Sequence, residues 1–133
     1  MIDYGKYIGI PYEHRGRSKS GLDCLGLIWL VLKDHGIEVA DGDGNPYGSD
    51  WFRNDPERYL RGLLAHGQEA PLDQLQALDV VYFQMGRVPT HGGVMVDSQR
   101  FLHILEGRRS CVSRLHSMWR KRLAGARRVA TWA

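Results

Sequence analysis

Asp23-Cys24-Leu25-Gly26-Leu27-Ile28-Trp29-Leu30-Val31-Leu32-Lys33-Asp34-His35-Gly36 is the first strong element of the chain. The run 25–32 is apolar nearly all round, as in a helix buried on most of its sides. Ser20 and Asp23 stand in capping-box-like spacing before it, and Gly36 supplies a stop. A buried strand is the other reading of such a run. Its length and its end signals favour a helix over 23–35.

Upstream, residues 1–22 read as an arm: a short helix-like start at 4–8, then a Gly-rich polar loop over 9–21. Downstream, Asp41-Gly42-Asp43-Gly44-Asn45-Pro46 is turn chemistry. It partly resembles a calcium loop but lacks the twelve-residue ligand pattern and terminal Glu of one. A second helix is expected over 56–66, with Asp55 as N-cap, Pro56 at the first helical position and Gly67 as the stop. The period then changes. Val80-Val81-Tyr82-Phe83 reads as a strand. Gly93-Val94-Met95-Val96 and Phe101-Leu102-His103-Ile104-Leu105 read as a hairpin around Asp97-Ser98-Gln99. A further strand over 111–115, a helical turn over 117–123 and a closing strand over 126–131 complete the pattern. Helices first and antiparallel strands afterwards give an α+β layout.

The 133 residues suit one domain, 1–133, able to bury a core without disulfides or metals. Two cysteines, Cys24 and Cys111, form neither a disulfide framework nor a zinc cluster, and nothing favours a bridge between them. No cofactor motif is present. The longest apolar run is far too short to span a bilayer. The N-terminus lacks a basic segment followed by an apolar stretch, so the expectation is synthesis in the cytoplasm without a signal peptide. Charge is uneven. Residues 107–133 hold 8 Lys/Arg and no acid, whereas 1–106 hold 10 Lys/Arg and all 15 Asp/Glu. The basic end is either a solvated face or a surface for an anionic polymer or acidic protein. No motif points to nucleic acid.

Three residues could carry chemistry. Cys24 opens a helix, where free amides and the helix dipole favour a thiolate, the attacking form. His91 starts a strand beside Gly92 and Gly93, whose small size leaves an imidazole room. His103 lies in the next strand. If Asp97-Ser98-Gln99 is a three-residue loop, Val96 pairs with Arg100 and Gly93 with His103. His91 and His103 then share a face as diagonal neighbours. A two-residue turn would put them on opposite faces. In the first register His91 is the base for Cys24, His103 orients it, and the Cys24 amide helps hold the oxyanion. The bland alternatives are a small buried Cys, a loop His and a core His. A zinc site from these three has no close-spaced ligand pair to anchor it.

These residues resemble the NlpC family of cell-wall cysteine peptidases. Gly9-Ile10-Pro11-Tyr12, Gly16 and Ser20-Gly21-Leu22-Asp23-Cys24-Leu25-Gly26-Leu27 look like its nucleophile motif. Leu78-Asp79-Val80-Val81-Tyr82-Phe83, Thr90-His91-Gly92-Gly93-Val94-Met95-Val96 and Phe101-Leu102-His103 look like its strands. The resemblance covers about residues 5–106. It implies a papain-like α+β fold, with N-terminal helices packed on an antiparallel sheet. It implies hydrolysis of peptidoglycan stem peptides between D-glutamate and diaminopimelate or lysine. It carries over Cys24 as nucleophile, His91 as base and His103 as third member. Tyr12 matches a tyrosine that assists the oxyanion or the substrate; its plainer role is packing. Asp23 matches a position that in some members binds the substrate's amino end; its plainer role is helix capping. Leu25 replaces the usual Ser and Leu78 the usual Gly.

A wall substrate without a signal peptide looks like the phage-encoded branch, whose members are tail components. That implies other tail proteins as partners and action in the periplasm or cell wall. The competing readings are a tail assembly protein with a vestigial peptidase fold, and another cysteine amidase or acyltransferase on the same fold.

Overall fold

The structure, a computed structural model, describes residues 2–37, 67–85 and 89–129. The turn at 41–46 and the helix expected over 56–66 lie outside the described residues. The arm begins with a 3-10 turn, Gly5–Tyr7, followed by two short paired strands, β1 (Arg17–Ser18) and β2 (Gly21–Leu22). Helix α1 is Cys24–Asp34. After it come β3 (Gln68–Glu69), β4 (Val80–Gln84), β5 (Pro89–Met95), β6 (Arg100–His103), β7 (Cys111–Arg114), the short helix α2 (Ser117–Arg122) and β8 (Leu123–Arg128).

Asp23, not Ser20, caps α1. Its backbone is extended, and its Oδ1 accepts the Gly26 N–H at 2.8 Å. Pairing with β1 keeps the chain extended through Leu22, so the helix can begin only after it. The Ser20 hydroxyl instead meets that of Ser18 at 2.7 Å. At the far end Gly36 turns the chain at φ +77°, a conformation cheap only for glycine. Gly26 is required by contact: a Cβ there would run into the Gly16 carbonyl of the preceding loop.

The six-stranded sheet has the order β3-β8-β4-β5-β6-β7, with every pairing antiparallel. It is covered on both faces. Leu27, Ile28, Val31 and Leu32 of α1 pack with Val80, Tyr82, Val94, Leu102 and Ile104. Val81, Phe83, Met95, Phe101 and Ala126 pack on the other face with Leu115, Trp119 and Leu123. That is why Val80-Val81-Tyr82-Phe83 is apolar without alternation. β8 starts earlier than expected, at Leu123, because the chain enters it directly from α2.

The hairpin has the three-residue-loop register. Val94 pairs with Leu102 and Met95 with Phe101, and the Val96 N–H donates to the Arg100 carbonyl at 2.9 Å. Asp97 fixes the loop by accepting the amides of Gln99 and Arg100 at 2.9 and 2.8 Å, and it also receives the Arg100 guanidinium.

Candidate active site

The register places two histidines side by side. His91 pairs with Phe83 and His103 with Cys111, beside the rings of Phe83 and Phe101. Their rings meet in a hydrogen bond, Nε2 of His91 to Nδ1 of His103, at 2.9 Å. The far nitrogen of His103, Nε2, bonds the Ser113 hydroxyl at 2.8 Å and lies 3.7 Å from the Cys111 sulfur. Both histidines are buried.

Aromatic rings enclose the pair. Phe83 lies 5.9 Å from His91 between centroids, and Phe101 lies 4.4 Å from His103. Trp119, from α2, contacts both: 5.5 Å from His91 and 4.9 Å from His103. This dry box disfavours imidazolium. Burial, reinforced by His103, pushes His91 down to about 3; burial alone pushes His103 down to about 4. At neutral pH both rings are uncharged.

Cys24 is the first residue of α1 and is half-buried. The Gly92 amide, next to His91 in the chain, bonds its sulfur, so the helix start meets β5 at the residue after His91. The thiol is not the ready thiolate that the helix start suggests. Burial, then the Asp23 carboxylate, pushes it up to about 12, against the pull of the Leu25, Cys24 and Gly92 amides. Desolvation of a sulfur anion outweighs the three amide dipoles. The resting pair is therefore a thiol and a neutral imidazole.

Tyr12 lies at the same place. Its backbone bridges Leu22, and its ring is among the partly buried groups that, like Cys24, pack on the α1 core. Burial, then the neighbouring Cys24 sulfur and the Asp23 and Glu106 carboxylates, raises its phenol, so it keeps its proton and can donate. Asp23 is only 3% exposed. Besides capping α1 it accepts the Arg15 amide at 3.0 Å and pairs with the Arg17 guanidinium at 2.9 Å. The structure thus brings Cys24, Tyr12 and Asp23 together at the helix start, and His91 and His103 together across β5 and β6.

Sequence reasoning does not single out Trp119, Ser113 or Arg17. Trp119 carries a signal: it is a large aromatic directly before the basic run Arg120-Lys121-Arg122. Ser113 and Arg17 carry none, because small polar and basic residues are common on strands and loops.

A half-buried cysteine at a helix start, beside a sheet that carries a bonded histidine pair, is the layout of a papain-like α+β domain. The NlpC/P60 family model matches residues 9–128. The chain belongs to the NlpC/P60 family. It is 24% identical over 130 residues to the murein DD-endopeptidase MepS/murein LD-carboxypeptidase of Escherichia coli K12, covering 97% of this chain and 61% of that protein. It is 35% identical over 72 residues to a gamma-D-glutamyl-L-lysine dipeptidyl-peptidase of Bacillus cereus, covering 51% of this chain and 21% of that one. The chain thus spans about three-fifths or less of these curated relatives. Among solved structures, an NLP/P60 lipoprotein-like protein of Staphylococcus aureus superposes with a TM-score of 0.68 at 26% identity, over 95% of this chain and 38% of that one. The NlpC/p60 domain of the peptidoglycan hydrolase SagA gives 0.64 at 19% identity, over 92% and 90%. Among the described residues no helix is long and apolar enough to cross a membrane.

Proposed function

We propose that this chain is a cysteine endopeptidase that hydrolyses peptidoglycan stem peptides at the bond between D-glutamate and diaminopimelate or lysine. The observation that carries it is the 2.9 Å bond between His91 and His103 on the strand whose Gly92 amide meets Cys24. With Nε2 of His91 committed to His103, Nδ1 is the nitrogen left to exchange protons. The Cys24 proton passes to it as the sulfur attacks the peptide carbonyl. The Cys24 amide and the Tyr12 hydroxyl serve the oxyanion. Protonated His91 returns the proton to the leaving amine as the C–N bond breaks. Water, deprotonated by the same nitrogen, then hydrolyses the thioester. The names of the two curated relatives support a wall peptide as the substrate class.

Asp23 serves this site from behind, as the cap that fixes the first turn. A substrate ammonium would compete for its carboxylate with Arg17 and the Arg15 amide. We infer further that the chain works as a phage tail component acting in the cell wall. The acid-free stretch 107–133 supports this as a basic docking face, with Arg114, Arg120, Lys121 and Arg122 exposed. Co-expression and copurification with phage tail proteins tests this point, and a chain that stays monomeric and unbound counts against it. The peptidase reading is tested by digesting purified sacculi with the wild type and Cys24→Ala, followed by mass analysis of the products. Products from the wild type alone, split after D-glutamate, are expected; no Cys24-dependent product would sink the reading.

A further inference from the structure

We propose that Ser113 is a positioning residue: its hydroxyl accepts the Nε2–H of His103 and so sets the direction of the hydrogen-bond chain that ends at His91. This rests on the peptidase reading above. A neutral imidazole has one donor and one acceptor. Only one proton can lie between His91 Nε2 and His103 Nδ1, so the chain has two directions. In the forward direction His91 donates to His103, and His103 donates to Ser113. Nδ1 of His91 is then a bare lone pair, able to take the Cys24 proton. In the reverse direction Ser113 donates to His103 and His103 to His91. Nδ1 of His91 then already holds a proton, and the base is lost.

The far end therefore decides whether the near end works. Two groups meet His103 Nε2: the Ser113 oxygen at 2.8 Å and the Cys111 sulfur at 3.7 Å. The oxygen is at full hydrogen-bond distance, whereas a thiol is a weak acceptor. Register puts both on one face, since His103 pairs with Cys111 and Phe101 with Ser113. The forward chain also survives catalysis. When His91 gains a proton at Nδ1, Nε2–H still donates to His103 and nothing downstream must reorient. The two rings are uncharged at neutral pH, so tautomer, not charge, is what Ser113 controls.

Nitrogen NMR of labelled histidines at neutral pH reads each tautomer directly. In the wild type, both His91 and His103 are expected as the Nε2–H form. In Ser113→Ala, His103 is expected to become a mixture, with His91 following it, and Ser113→Thr restores the wild-type pattern. On the soluble peptide L-Ala-γ-D-Glu-diaminopimelate, kcat of Ser113→Ala is expected to fall about five- to tenfold with KM unchanged, the scale of one neutral hydrogen bond. Ser113→Thr recovers kcat. A wild type with His103 protonated on Nδ1, or Ser113→Ala with unchanged tautomers, overturns the proposal. Absence of wild-type cleavage strikes the peptidase reading instead, and the tautomer pattern still decides the role of Ser113. Should Ser113→Ala fail to fold, the wild-type tautomers alone settle the direction of the chain.

Discussion

Gly93 and His103 face each other across β5 and β6 with no space for a side chain between them. A Cβ on Gly93 would stand 3.1 Å from the His103 Cβ and 2.6 Å from the Leu102 carbonyl oxygen. Backbone cannot yield as a flexible side chain does. Gly93→Ala should therefore push β6 away from β5, lowering stability by about 1–3 kcal/mol, the range for overpacking. It should also separate His103 from His91 and reduce turnover more than Gly36→Ala, which strains a left-handed turn at the far end of α1 but meets no neighbouring atom. Thermal melts and turnover of the two variants check this. A Gly93→Ala protein of wild-type stability and activity would refute it.

Cys24 should be slow to alkylate at neutral pH. With its thiol pushed up to about 12, only a minute fraction is thiolate there. Cys111, which is exposed, should take up iodoacetamide first. Labelling of Cys24 should rise with pH well into the alkaline range. Peptide mapping after timed labelling at several pH values measures both rates. Faster labelling of Cys24 than of Cys111 at pH 6 would show a thiolate–imidazolium pair instead.

Trp119 keeps water from the histidine pair, so the acid limit of activity should depend on it. His91 is a competent base only when unprotonated, above about 3. The acid limb of kcat/KM should thus lie well below the ordinary histidine value of about 6.5. Trp119→Ala lets water in and should move that limb upward. Stability follows the same sign. The folded values are lowered, so the unfolded chain binds more protons between about 6.5 and about 3, and stability falls as pH drops through that window. Replacing both histidines by Gln should flatten the loss. Equilibrium unfolding across pH checks it.

Tyr12→Phe removes one hydroxyl and little else. If that hydroxyl serves the oxyanion, kcat should fall by about 10²-fold with the melting temperature nearly unchanged, as for other single oxyanion donors. A pure packing role leaves kcat intact. Paired kinetics and melting curves separate the two.

How far the residues announce this architecture varies along the chain. The α1 helix and the β4 run are local patterns readable from spacing, whereas the spacing leaves two hairpin registers open and the pairing of Val94 with Leu102 decides between them. The cap is readable in part: capping is one of two sequence readings of Asp23, and pairing with β1, which keeps Leu22 extended, decides for Asp23 over Ser20. The acidity of Cys24 escapes a sequence reading for a related reason. Helix-end amides are visible in a sequence, but the desolvation that outweighs them comes from elements far away in it. Trp119 joins the site only because α2 folds back over Phe83 and Phe101. Leu78 is a different case. It stands where the family carries Gly, and it adopts φ +72°. A left-handed Leu costs about 1–2 kcal/mol, while burying its side chain, 2% exposed, returns about 1.5–3 kcal/mol. The substitution is tolerated because the position faces the core.

The Asp97 loop has a consequence for the order in which this protein forms. His91 and His103 are twelve residues apart, and the loop between them is wired by its own aspartate. Closing so short a segment costs little chain entropy, so this hairpin belongs among the early contacts of folding. Cys24 reaches it from the other end of the chain, across the whole 38–66 stretch. The base is thus assembled locally and early, the nucleophile joins by a long-range contact and late, and a partly folded chain holds two halves of a reaction that cannot yet meet.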